Sequence, residues 1–290
     1  MQEYGEVLEN ISLKNFNTYK IGGNAKYIIK PFNIEKLISL LEYLKEKKLK
    51  YFILGKGSNV ILPDENYNGV IILLDKLNKI EINGNTVDVE AGISLNNFIL
   101  NMVNNNLSGL ENLCGIPGTL GGAIVQNAGC YGFTISDFIE SVTYLENNKI
   151  KKINKEKCDF DYRNSIFKKH KELIIISAKF KLNNGDKNNM LEIIKINNQK
   201  RRNNQPLSYP NAGSVFKNPN NISAGKIIED AGLKNYHIND AYISDKHANF
   251  IINKNNATSK DIRTLIDYVK ETIKKNNNID LELEQEIIKY

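Results

Sequence analysis

Gly115-Ile116-Pro117-Gly118-Thr119-Leu120-Gly121-Gly122-Ala123, followed after two residues by Gln126-Asn127-Ala128-Gly129, is the most heavily punctuated part of the chain. Side chains this small let backbone N–H groups approach an anion closely, as a cofactor diphosphate requires. The glycine spacing is not Gly-x-Gly-x-x-Gly, and a Rossmann fingerprint would also need a preceding strand, a following helix and an acidic residue about 20 positions on. The segment therefore reads as a dinucleotide cradle of another kind. An earlier loop, Gly55-Lys56-Gly57-Ser58-Asn59, likewise lacks the P-loop order, in which lysine and then serine or threonine close the glycine run and open a helix. A single glycine cluster is more often a tight turn than a ligand site. Two phosphate-type loops in one chain point instead to one large, diphosphate-bearing ligand.

Outward from these loops the periodicity alternates between helix and strand. Asn33 is placed to cap a helix carrying Ile34, Leu37, Ile38, Leu41 and Leu44, and Tyr51-Phe52-Ile53-Leu54 reads as a buried strand. Strands follow at Val60-Ile61-Leu62 and Val70–Leu74, then a hairpin turning at Asn83-Gly84 or Gly84-Asn85 between Ile80–Ile82 and Val87–Val89. Ser94 precedes a helical stripe of Leu95, Phe98, Ile99, Met102 and Val103. Past the glycine-rich segment, strands are expected near Val142–Leu145 and from Leu173 to Leu182, with a helix from about Asn189 to Arg202. The remainder shows a helix through Lys226–Ile228, a strand at Phe250–Ile252, a helix through Ile262, Leu265, Ile266 and Val269, and a terminal strand. This is an α+β pattern with an expected boundary near residue 200.

With 290 residues the chain has room for about two domains of roughly 150 residues each. Apolar residues at 41% and charged residues at 25% exclude a disordered chain. No run approaches the roughly 18 consecutive apolar residues of a membrane helix, and Met1–Glu6 has neither a basic stretch nor an apolar signal core, so a cytoplasmic location is expected. Cys114, Cys130 and Cys158 are odd in number and lack Cys-x-x-Cys spacing, which predicts buried thiols with no disulfide framework and no metal site. The net charge of +6 comes from scattered lysines that neighbour asparagine or glutamate instead of forming a basic arm. An anionic small substrate suits that charge, and nucleic acid is not expected as a partner.

Several ordered motifs narrow the reading. Asn17-Thr18-Tyr19-Lys20-Ile21-Gly22-Gly23-Asn24-Ala25, the Gly55 loop and the Gly115–Gly132 segment resemble the UDP-N-acetylenolpyruvoylglucosamine reductases. The likeness continues through Tyr162-Arg163-Asn164-Ser165-Ile166-Phe167, Gln205-Pro206, Gly213-Ser214-Val215-Phe216-Lys217-Asn218-Pro219 and His247–Asn253, so it covers nearly the whole chain. The length resembles that of the type II members. The resemblance implies the FAD-binding α+β fold shared with vanillyl-alcohol oxidase relatives (PCMH type), in two subdomains at about 1–75 and 76–200. A C-terminal α/β substrate-binding domain is expected over 201–290.

The resemblance further implies non-covalent FAD, NADPH as electron donor and UDP-N-acetylglucosamine enolpyruvate as substrate, handled by a monomer. In that family the reduced flavin passes hydride to carbon 3 of the enolpyruvyl ether and a proton reaches carbon 2. FAD is expected along Gly55, Lys56, Gly57, Ser58, Asn59, Gly115, Ile116, Pro117, Gly118, Thr119, Gly121, Gly122, Ala123, Gln126, Asn127 and Gly129. An enol ether accepts hydride only if charge developing at its carboxylate end is stabilised, and Arg163 matches that role with a permanent charge and a bidentate fork. Ser214 matches the proton donor; a hydroxyl is a weak acid, but a carbanion-like enolate is basic enough to take its proton.

The third catalytic residue is a glutamate of Leu281-Glu282-Leu283-Glu284-Gln285-Glu286-Ile287-Ile288, where strand alternation would set Glu282, Glu284 and Glu286 on one face. The family pattern Leu-Glu-x-Glu-Val-Arg selects Glu284, with Glu286 an alternative because Gln285 and Glu286 depart from the usual valine and basic residue. Substrate contacts are expected at Tyr162, Arg202, Lys217 and Asn218. Arg201 and Arg202 also suit a plain helix C-terminus. His247 reads as a structural histidine. Two other readings stay open on sequence alone: an FAD oxidase acting on another substrate, and a colourless nucleotide- or nucleic-acid-binding module.

Overall fold

The computed structural model describes Met1–Tyr290, the side chain of Asn221 excepted. The chain forms two compact units. Met1–Glu9, Tyr27–Lys56 and Gly69–Gln199 make the first; Asn10–Lys26, Gly57–Asn68 and Lys200–Tyr290 make the second.

In the first unit, the Asn33 side chain accepts the Lys36 N–H at 2.8 Å and opens the helix Ile34–Glu46, as its sequence predicts. Its buried leucines Leu37, Leu40, Leu41 and Leu44 recur at three- and four-residue spacing and pack with Ile29, Val70 and Ile72. Those last three belong to a four-stranded sheet in the order Gly5–Ser12, Asn24–Pro31, Tyr67–Ile72, Tyr51–Ile53. The expected strand at residue 51 forms, but Tyr51 is exposed and burial begins only at Leu54.

A second sheet of the same unit is antiparallel throughout, in the order Lys149–Asn154, Ile139–Glu146, Ile174–Lys181, Thr86–Glu90, Ile80–Asn83. Its hairpin turns at Gly84, whose φ of 58° favours glycine. Ile174 and Ile176 join the cluster beneath the first helix while Ile175 joins the other core, the alternation of a strand buried on both faces. That other core packs Val87, Val89 and Phe180 with the helix Leu95–Asn104 and the short helix Leu120–Val125; the Phe98 and Phe180 rings lie 5.0 Å apart. The helix expected from Asn189 runs from Lys187 to Asn204.

In the second unit, a three-stranded antiparallel sheet, His237–Ile238, Ala241–Ile243 and Ile251–Asn253, packs with the helices Ala224–Asp230 and Ser259–Asn277. The longer helix buries Ile262, Leu265, Ile266, Val269 and Ile273, and Tyr19, Ile21 and Ile61 complete the same cluster. The uninterrupted terminal strand expected over Leu281–Ile288 does not form. Leu283 pairs with Phe216, the chain bends at Glu284–Gln285, and Glu286–Ile287 then runs parallel to Val60–Ile61. The bend arises because the Glu284 and Gln285 N–H groups both point at the Val215 carbonyl, at 2.9 and 3.4 Å, so two residues face one and the alternation is reset. Among the described residues no helix is long and apolar enough to cross a membrane.

Candidate active site

The two glycine-rich loops meet in the first unit. A Cβ added to Gly55 would lie 2.9 Å from Thr119 Oγ1, so the main chain of one loop rests directly on the other. Thr119 opens the helix Leu120–Val125 with its hydroxyl accepting the Gly122 N–H, and its backbone bridges to Ser94. A Cβ added to Gly121 would lie 3.1 Å from the Ala91 side chain, and the Gly121 N–H donates to the Ala91 carbonyl. Gly55, Lys56, Pro117 and Gly122 are exposed, and a Cβ on Gly122 would meet nothing within 4 Å except Thr119 Oγ1 at 3.4 Å. Gly115 and Gly118, with φ of 88° and 155°, carry the chain through turns that other residues rarely adopt, and Asn96 Oδ1 holds the Gly115 N–H at 2.6 Å. Exposed main chain without side chains over it is what a dinucleotide diphosphate requires, so these residues fit FAD.

Arg163 is fastened to the far end of the same segment. Asp161 and Asn164 exchange backbone hydrogen bonds at 3.2 and 3.1 Å, making a tight turn with Tyr162 and Arg163 at its tip. Asn127 Nδ2 donates to the Asp161 carbonyl and Ser165 Oγ to the Val125 carbonyl, which ties this turn to Val125–Gly129. Arg163 itself has φ of 53°, a left-handed conformation costing a non-glycine residue on the order of 1–2 kcal/mol. Lys168 Nζ donates to its carbonyl, its Nη2 donates to the Gly129 carbonyl at 2.9 Å, and its guanidinium carbon lies 5.2 Å from the Tyr162 ring centroid. A strained backbone over-determined in this way marks a residue whose placement matters.

Ser214 and Glu284 come together in the second unit. Ser214 is half-buried and bridges to Phe250, and among the described residues its hydroxyl makes no hydrogen bond. The Glu284 N–H bonds to the carbonyl of Val215, the next residue along. Glu286 points its N–H at the Asn59 carbonyl instead, beside Val60–Ile61. Asn59 Nδ2 also donates to the Glu284 carbonyl at 3.1 Å, so the end of the Gly55 loop anchors the segment bearing the glutamate. Gly57 in that loop has φ of 61° and presses on Asn17, while its carbonyl accepts from Thr18 N–H and Oγ1.

Of the expected substrate contacts, Tyr162 belongs to the first unit and Arg202, Lys217 and Asn218 to the second. Tyr162 is exposed beside Arg163. Lys217 pairs with Glu282 at 2.5 Å, and Asn218 Oδ1 accepts the Ala224 N–H. Arg202 is exposed at the helix end, whereas Arg201 is buried, a distinction invisible in two adjacent arginines of a sequence. His247 packs edge-on against Phe250 and accepts the Asn249 N–H; burial, aided by Lys234, lowers its basicity. Buried Cys158 donates to the Asn154 carbonyl, with its thiol pushed up to about 12 by burial and then Glu156. Sequence reading missed Tyr19 and Gln285, whose side chains meet at 3.1 Å, with the Gln285 amide also donating to the carbonyls of Ala212 and Gly213. No periodic or motif signal marks a buried amide that bonds across 266 residues.

Comparison with known proteins bears on the same residues. The family model described as UDP-N-acetylenolpyruvoylglucosamine reductase, C-terminal domain, matches residues 205–288, and the model described as FAD binding domain matches 25–148. The chain is 42% identical over 284 residues to the UDP-N-acetylenolpyruvoylglucosamine reductase of Clostridium novyi (strain NT), spanning 98% of this chain and 92% of that one. It is 43% identical over 284 residues to that of Carboxydothermus hydrogenoformans, spanning 97% and 94%. The crystal structure of the enzyme from Thermus caldophilus superposes with a TM-score of 0.83 at 30% identity, covering 98% of this chain and 99% of the other.

Proposed function

The chain belongs to the UDP-N-acetylenolpyruvoylglucosamine reductase family and is an FAD-dependent oxidoreductase, and from that premise we propose how its own residues carry out the reaction. The substrate is UDP-N-acetylglucosamine enolpyruvate, the product UDP-N-acetylmuramate, and the reductant NADPH, in peptidoglycan precursor synthesis. The Gly55 and Gly115–Gly129 loops would hold FAD, which would supply the redox chemistry, hydride transfer between NADPH and carbon 3 of the enolpyruvyl ether. Residues 1–200 form the FAD-binding region, with Asn10–Lys26 and Gly57–Asn68 packed into the second unit, and 201–290 the substrate domain, in a cytoplasmic monomer; light scattering of the purified protein tests the last point.

Arg163 binds the substrate carboxylate, where its fixed positive charge stabilises the enolate as it develops. Ser214 Oγ–H then gives its proton to carbon 2, completing addition of one hydride and one proton across the double bond. Glu284 is the carboxyl group beside this serine, and Tyr162, Arg202, Lys217 and Asn218 hold the remainder of the substrate.

One observation supports the site most: the Glu284 N–H bonds to the carbonyl of Val215, the residue after Ser214, whereas the Glu286 N–H bonds to the carbonyl of Asn59. The test is a spectrum of the purified protein followed by anaerobic NADPH and then substrate. Yellow colour that bleaches with NADPH and returns with the enolpyruvyl sugar nucleotide is expected; a colourless protein, or one bleached and not restored, would overturn the reading.

A further inference from the structure

Gln285 stands where the family pattern carries valine, and its side chain is only 3% exposed. Valine would fill part of that space without making a hydrogen bond. The carboxamide instead satisfies three groups of the second unit. Its Nε2 donates to the carbonyls of Ala212 and Gly213, both at 3.1 Å, and its Oε1 accepts from the Tyr19 hydroxyl at 3.1 Å.

These contacts fix the orientation of the amide. Tyr19 is fully buried, and burial pushes its phenol far above the usual range, so the hydroxyl stays neutral and has a proton to donate. A flipped amide would turn its oxygen toward two carbonyl oxygens and lose both of those bonds, since of the three partners only the Tyr19 hydroxyl can either donate or accept. Tyr19 is itself pinned, because Asn253 Nδ2 donates to its carbonyl at 2.9 Å.

The two carbonyls gripped by Gln285 immediately precede Ser214, and Gln285 immediately follows Glu284. Gly213 has φ of 74° and nothing within 4 Å of where its Cβ would be, so the turn ahead of Ser214 has little steric restraint of its own. Among the described residues its N–H is tied only to Asn211 within the same turn. We propose that Gln285, oriented by Tyr19, is a positioning residue of the reaction: it clamps the turn bearing Ser214 to the segment bearing Glu284, so that the serine hydroxyl is aimed when the proton is transferred. The inference rests on the reading of Ser214 and Glu284 as the catalytic pair.

Half-reaction kinetics of the FAD-loaded enzyme test it with Q285V, Y19F, the double variant and S214A. Flavin reduction by NADPH stays at its normal rate in Q285V. Reoxidation at saturating enolpyruvyl substrate falls by on the order of tenfold to a hundredfold, the consequence of an ångström-scale misplacement. The half-saturating substrate concentration moves little, because binding is not what the clamp provides. The solvent deuterium isotope effect on reoxidation rises, since proton delivery becomes the slow event, a change that general loss of packing does not produce. Y19F shows a smaller loss in the same step and adds none in the Q285V background. Q285V and Y19F reoxidising at the unsubstituted rate while S214A is slow would overturn the clamp alone; S214A at the unsubstituted rate would overturn the assignment beneath it. Where Q285V does not fold, Y19F, which keeps the ring and removes one oxygen, decides the matter by the same readout.

Discussion

In the proposed reaction Ser214, a half-buried residue, is a weak acid asked to protonate a strong base. S214A is expected to leave flavin reduction by NADPH intact and slow reoxidation by substrate by about 10²- to 10⁴-fold, read by rapid mixing. R163A should slow the same step by roughly 10²-fold or more, and R163K should recover little, because an ammonium has neither the fork nor the planar delocalised charge. E284Q should also impair reoxidation while E286Q leaves it near normal; the reverse outcome would move the catalytic glutamate to the alternative register. His247 makes a pH statement. Burial lowers its pKa in the fold, so the unfolded chain takes up a proton first, near pH 6.5, and stability falls as pH drops from there through the lower folded value. Thermal midpoints measured between pH 7 and 5 should fall less steeply in H247Q.

At the scale of elements, the helix Ser259–Asn277 is held at its start by a reciprocal cap. Thr258 Oγ1 accepts the Asp261 N–H at 3.1 Å, and Asp261 Oδ2 accepts the Thr258 N–H at 2.9 Å. Burial opposes the Asp261 charge, but these bonds and Asn239 hold its carboxyl below the usual range. Asp64 accepts from the next two N–H groups, of Ser259 and Lys260. T258A should cost about 1 kcal/mol in urea unfolding. In the Gly55 loop, G57A would place a methyl carbon 2.4 Å from the Phe16 carbonyl oxygen at a φ of +61°. That should cost more than about 2 kcal/mol and lower the flavin content of the purified protein, measured from its absorbance.

For the whole molecule, non-covalent FAD binds the folded chain and not the unfolded one, so added FAD should raise the thermal midpoint in a concentration-dependent way, and denaturation should release free flavin. Flavin retained on the denatured chain would contradict this. Much of this architecture was legible before any coordinates. The helices at Ile34–Glu46, Leu95–Asn104, Lys187–Asn204 and Ser259–Asn277 follow from apolar spacing that each segment carries within itself. The motifs around Gly115, Arg163 and Ser214 name the family because each is a short contiguous run. Gly5–Ser12 and Asn24–Pro31 went unread, since a strand with no strict alternation is recognised only by its neighbours in a sheet. The sequence by itself determined the helices, the glycine loops and the family. Only the tertiary structure decided the bend at Glu284–Gln285, the bond from the Glu284 N–H to the Val215 carbonyl, and the grip of Gln285 on the serine turn. Those three depend on a single carbonyl at Val215 and on a tyrosine 266 residues away, partners that no local pattern encodes.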